Sequence, residues 1–137
     1  MTKERYIHPL DTDSNIAVGV DLPLTSNTKT FFALNYTTQD QAKANLKNLI
    51  LTNKGERIML PDYGCNLKKM LFEQVPDEKI KETIEVSVEQ WLPYINIIEL
   101  IVKRDPTNEY RINIDLYYNI LEDEDTADEL SLELSTV

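Results

Sequence analysis

At Pro93 the hydrophobic pattern of this chain changes period, and that switch limits the folds open to it. Before the proline, Ile80, Ile84, Val88 and Trp91 recur every three or four residues. After it, Ile112, Ile114, Leu116, Tyr118 and Ile120 alternate with Arg111, Asn113, Asp115, Tyr117 and Asn119. The first spacing turns one face of a helix toward a core, and the second does the same for a strand. Proline separates them because it lacks a backbone N–H and its ring clashes with the preceding turn. The pattern implies an α+β fold: a single domain with two main amphipathic helices packed on a small, mainly antiparallel sheet.

The remaining elements follow from the same periods. Thr38 with Gln41 has the form of a capping box, and behind it Ala42, Leu46, Leu49 and Ile50 share one helical face. Asn53-Lys54-Gly55 reads as the stop of that helix, with Gly55 in the left-handed conformation. The second helix opens at Pro76-Asp77-Glu78, where proline suits the first turn and the carboxylates complement the N-terminal dipole. Ile95 to Arg104 is rich in β-branched residues, and Asp105-Pro106-Thr107-Asn108 supplies a turn. Glu122 to Asp128 is expected to be a solvated acidic connection, followed by a last strand over Glu129 to Thr136 in which Leu130, Leu132 and Leu134 alternate with polar residues. Residues 1–36 read as an N-terminal arm and a hairpin of strands near Ile16–Val20 and Thr30–Tyr36, leaving 37–137 as the α+β domain.

Between the helices, Leu51 to Phe72 carries Ile58, Met59, Leu60, Tyr63, Leu67, Met70, Leu71 and Phe72, too much apolar side chain for a solvated linker. It is expected to be a packed irregular connection. Pro61-Asp62-Tyr63-Gly64 reads as a tight turn, and Asn66 as the cap of a short helix from Leu67 to Phe72.

A formal charge of −10 argues against nucleic acid and against an anionic membrane surface, both of which need a basic footprint. No apolar run approaches the ~20 residues of a membrane span, and MTKERYIHPL lacks a secretory apolar core, so a cytoplasmic site of synthesis is expected. Cys65 and His8 are the sole members of their types, which leaves neither a disulfide nor a thiol–imidazole pair of recognisable form. No glycine loop, metal-ligand spacing or cofactor motif is present, and Glu122-Asp123-Glu124-Asp125 lacks the spacing of a calcium loop. Trp91 reads as a core residue, and Tyr117, on the polar face of its strand, as an interface aromatic.

Thr52, Gly55-Glu56-Arg57, Pro61-Asp62-Tyr63-Gly64, Leu67 and Leu71-Phe72-Glu73, in this order and spacing, resemble the signature of one family. It is that of the small baseplate-wedge proteins of contractile-tailed bacteriophages, with relatives in type VI secretion baseplates and other contractile injection systems. The similarity runs from about Thr37 to Leu121. The resemblance implies a structural subunit of a virion tail baseplate, assembled in the host bacterial cytoplasm. Such a subunit docks larger wedge proteins near the tube and initiates sheath assembly by strand addition. The implied partners are other baseplate wedge proteins and tail sheath subunits, with the tail tube or hub nearby, and no cofactor is implied. Where the family's long helix ends in a Glu-Pro-Arg docking hook, this chain has Leu92, Pro93 and Tyr94, so the break carries over but the charges do not. Candidate partner-binding residues are therefore Leu92, Pro93 and Tyr94, with Glu56 and Arg57 as local or intersubunit ion pairs, Tyr117 as exposed aromatic, and Leu132 on the last strand. Two alternatives remain at this point. One is a lysozyme-like glycosidase using a pair among Glu56, Asp62 and Glu73; the other is an adaptor subunit of a type VI or other injection baseplate.

Overall fold

A computed structural model describes residues 9–22, 24, 32–120 and 123–136, with side chains at all of these except 123–126. A short 3-10 turn, Pro9–Asp11, precedes β1 (Gly19–Val20) and β2 (Leu34–Asn35), which pair antiparallel with Gly19 opposite Asn35. Then come α1 (Thr38–Leu51), α2 (Leu67–Phe72) and α3 (Asp77–Trp91). Three long strands close the chain: β3 (Ile95–Arg104), β4 (Arg111–Ile120) and β5 (Asp123–Ser135). They form an antiparallel sheet in the order β3-β4-β5.

The change of period at Pro93 is the seam of the core. Ile80, Ile84 and Val88 from α3 and Leu46, Leu49 and Ile50 from α1 are each at most 1% exposed. They meet Ile112, Ile114, Leu116 and Tyr118 from β4, which are fully buried. β4 sits between two strands and under the helices, so its alternation is the cleanest in the sequence.

Local chemistry moves several expected boundaries. The cap of α1 is Thr37, not Thr38: Thr37 is extended (φ −123°, ψ 150°) and its hydroxyl accepts the Asp40 N–H at 3.2 Å. Thr38 instead donates its backbone N–H and its hydroxyl to the carboxylate of Asp11, each at 2.7 Å, which ties the N-terminal segment to the helix start. Gln41 does not reach back to the cap; it links Asn35 of β2 to Asn45 of α1. α1 stops at Leu51, because Thr52 turns extended, and Gly55 lies three residues further on in the following loop. Asn66 does not cap α2 with its side chain; it adopts the left-handed conformation itself (φ 58°).

The largest correction concerns the acidic stretch. Asp123 to Asp128 is not a connection but the first half of β5, with Asp123 opposite Ile120 and Asp128 opposite Tyr118 across a register shift. Its two ends, Asp123 and Asp128, pair with β4. Asp128 is neutralised from two sides, accepting from the Tyr118 hydroxyl at 3.3 Å and meeting Lys43 at 3.4 Å. Self-repulsion, which favoured a solvated connection, is offset at least at that position.

Candidate functional site

The loop between α1 and α2 has a packed base and an exposed tip. At the base, Tyr63, Cys65 and Leu67 are buried. Gly64 holds φ +121° with its α-carbon so close to Thr52 that an added Cβ would stand 2.3 Å from the Thr52 carbonyl oxygen. Cys65 donates its N–H to that same carbonyl at 3.1 Å. The loop is stapled further out by Gly55 N–H to Pro61 O at 2.8 Å and by a turn from Leu60 O to Tyr63 N–H. The Cys65 thiol is pushed up by burial, which keeps it protonated and unreactive.

Glu56 and Arg57 hold this loop, but neither joins an ion pair among the described residues. Glu56 accepts from the backbone and side-chain nitrogens of Asn53 at 3.2 and 2.7 Å. The Arg57 guanidinium lies 4.1 Å from the centre of the Tyr63 ring, and that ring meets Trp91 edge-on at 5.3 Å. The loop is thereby anchored to the end of α3. Its tip is different: Ile58 and Met59 are 95% and 90% exposed, against the expectation that this run packs. Their hydrophobicity carried no signal of orientation, because a loop has no period from which to read one.

The break after α3 divides its three candidates. Leu92 is buried in the core, so its side chain cannot serve as partner surface. Pro93 is exposed, and Tyr94 is partly so, with its hydroxyl accepting from Asn45 of α1 at 2.8 Å. Tyr117 lies on the outer face of the sheet, where its hydroxyl donates to Glu129 at 3.1 Å. Leu132 is half-buried on the inner face of β5, opposite Ile114. β4 is hydrogen-bonded on both sides, so it offers no free edge for strand addition. The two open edges of the sheet belong to β3 and β5.

Glu56, Asp62 and Glu73 are all exposed, and they line neither the cleft between α3 and β3 nor the smaller one between α1 and the β1–β2 pair. No helix among the described residues is long and apolar enough to cross a membrane.

The family model described as baseplate wedge protein gp25 matches residues 37–125, well over half of the chain. The chain belongs to the gp25 baseplate-wedge family. It is a component of the baseplate of a phage or phage-like contractile tail, within a structural family, and its partners include other baseplate proteins. A relative, the baseplate wedge protein gp25 of Enterobacteria phage T4, is 26% identical over 98 residues, covering 69% of this chain and 73% of its own. The crystal structure of a protein named as a tail lysozyme, from Geobacter sulfurreducens, superposes with a TM-score of 0.64 at 20% identity, over 74% of this chain and 93% of its own. A chain of the anti-feeding prophage baseplate, solved by cryo-electron microscopy with six-fold symmetry, superposes at 0.62 and 24% identity, over 77% of this chain and 86% of its own. These two likenesses establish the shared α+β fold of this gp25-family chain.

Proposed function

We propose that this wedge subunit starts the tail sheath by offering the outer edge of β5 to an extended arm of a sheath subunit. The observation that carries the reading is β5 itself. It is 13 residues long, lies last in the sheet, and among the described residues its outer edge makes no backbone hydrogen bond to another element. Such an edge supplies register through main-chain hydrogen bonds, and neighbouring side chains select the guest. β5 contains Asp123, Glu124, Asp125, Asp128, Glu129 and Glu133, so it favours a basic arm and discourages indiscriminate pairing. Docking to larger wedge proteins is assigned to Pro93 and Tyr94, beside the end of the sheet where Ile95 pairs with Ile120. Of the loop residues, Arg57 acts from behind by stacking on Tyr63 where that ring meets Trp91, and Glu56 by closing the loop onto Asn53. The work is structural rather than catalytic, and residues 37–137 carry it.

The test is reconstitution of baseplates with proline substituted at Ser131 or at Leu132. Successive strand residues point their N–H groups to opposite sides, so one proline breaks the ladder to β4 and the other removes an outward donor. The variant that stays folded should assemble into the wedge while sheath fails to start. Normal sheath polymerisation from that variant overturns strand addition at β5. In parallel, purified protein should leave peptidoglycan uncut; cleavage abolished by Glu56→Gln or Glu73→Gln would establish the glycosidase instead.

A further inference from the structure

Ile58 and Met59, at the tip of the loop between α1 and α2, are the most exposed large apolar side chains among the described residues, and Leu60 beside them is 42% exposed. Single exposed apolar residues are ordinary on a protein surface. Two observations set this tip apart. The first is that the loop is tied. Gly55 N–H bonds Pro61 O at 2.8 Å and Leu60 N–H bonds Arg57 O at 3.2 Å, while Arg57 stacks on Tyr63 and Glu56 holds Asn53. A loop free to rearrange would fold Ile58 and Met59 back toward the core. This one holds them out, so little ordering entropy remains to be lost on binding. The second is charge. Residues 41–72 hold six cations and two carboxylates, in a chain of formal charge −10. Lys54 on the loop and Lys68 and Lys69 at the start of α2 are exposed and form no ion pair among the described residues.

We propose that the tip is an anchor: Ile58 and Met59 insert into an apolar pocket, rimmed by carboxylates, on another baseplate protein. A convex pair of side chains needs a concave host, and preformed apolar anchors in pockets carry most of the energy of a protein interface. Burial of two such side chains is worth about a hundredfold or more in affinity. Charge complementarity selects the rim, because the unpaired cations belong to the tip loop and the helix that follows it. The carboxylates that dominate the rest of the chain repel an acidic host, so it approaches from the loop side alone, which gives the contact its orientation. The same carboxylates disfavour an anionic membrane, whose headgroups would face far more of this surface than one loop.

The experiment produces the parent chain and the double variant I58S/M59S together with the other baseplate proteins, and reads their ratio in purified baseplates by mass spectrometry. The variant should be at least about tenfold under-represented, with its melting temperature unchanged because both side chains are exposed. Lys54→Glu should be under-represented by about threefold, an effect that shrinks as salt is raised during assembly. Val86→Ser, which removes an apolar side chain 55% exposed on α3, should be incorporated like the parent. A photo-crosslinking residue in place of Met59 gives a second reading that does not depend on weakening the contact. In assembled baseplates it should join a different baseplate protein, at a segment that contains Asp or Glu. Equal incorporation of I58S/M59S and parent overturns the proposal, as does an equal loss for Val86→Ser. Crosslinks only to a second copy of this chain, or none at all, also overturn it. So does sedimentation of the purified chain with phosphatidylserine vesicles that I58S/M59S abolishes, because the tip is then a membrane anchor. None of these results bears on the β5 edge, whose test reads sheath polymerisation.

Discussion

β3 and β5 flank the same central strand and are built from similar numbers of residues, yet they present different surfaces. β5 carries acidic side chains along a strand that, from Asp128 to Ser135, keeps an unbroken register with β4, and among the described residues its far edge makes no backbone hydrogen bond to another element. β3 is interrupted at Ile98 and overhung by α3, so its edge opens into a groove whose walls are side chains. Backbone hydrogen bonding remains available along the first and is displaced by shape and charge along the second. One sheet thereby offers two unlike surfaces.

The comparison can be broken at its foundation or sharpened at either edge. The largest effect is expected at Gly64. Alanine there combines a strained positive φ with a Cβ 2.3 Å from the Thr52 carbonyl oxygen, and backbone cannot yield as a side chain can. A loss of about 3 kcal/mol follows, roughly 10 °C in melting temperature, and both edges should fail together. Gly55→Ala, with φ +91° but open space where the Cβ would lie, should cost only about 1 kcal/mol. Similar melting temperatures for the two variants would contradict the packed base of the loop.

Next in size is a split between the edges. The folded proline variant of β5 should lose sheath initiation while still joining the wedge. Tyr94→Asp should do the reverse, weakening wedge docking while starting sheath normally on baseplates in which it is incorporated. If either variant disables both functions while remaining folded, the edges are not independent and the comparison fails.

The smallest effect tests the side-chain link from β4 to β5. The Tyr118 hydroxyl titrates well above its ordinary range, first because the ring is buried and then because Asp128 lies beside it. The unfolded chain releases that proton near pH 10, so the stability Tyr118 contributes is intact below about pH 10 and declines as pH rises from there. Denaturant midpoints at pH 8 and pH 11 should therefore fall more for the parent than for Tyr118→Phe. Equal declines would mean that the hydroxyl is solvated.

Much of this was legible in the sequence because burial imposes a period. Ile112 to Tyr118 and Ile80 to Val88 announced themselves as strand and helix, and Leu67 to Phe72 fell where its apolar spacing put it. Where tertiary contacts decide, the sequence was silent or misleading. Asp128 looked like solvated repulsion because its partners, Lys43 and Tyr118, lie 85 and 10 residues away. Thr37 and Thr38 offered equivalent hydroxyls, and Asp11 chose between them from 27 residues away. Leu92 stood in for a charged docking residue of the family and proved to be core, part of the same buried cluster as Tyr63 and Val88. The groove was invisible, since Glu85, Glu89 and Ile98 come together only when α3 is laid along β3.

The central claim is that β5 is the edge that receives the sheath. A cryo-electron microscopy reconstruction of the baseplate with its first sheath ring, at a resolution that separates strands, tests it directly. The account predicts a further strand from a sheath subunit hydrogen-bonded along Glu129 to Ser135, with basic side chains facing Glu129 and Glu133. A β5 edge left open to solvent while sheath is held by another surface of this subunit would contradict it.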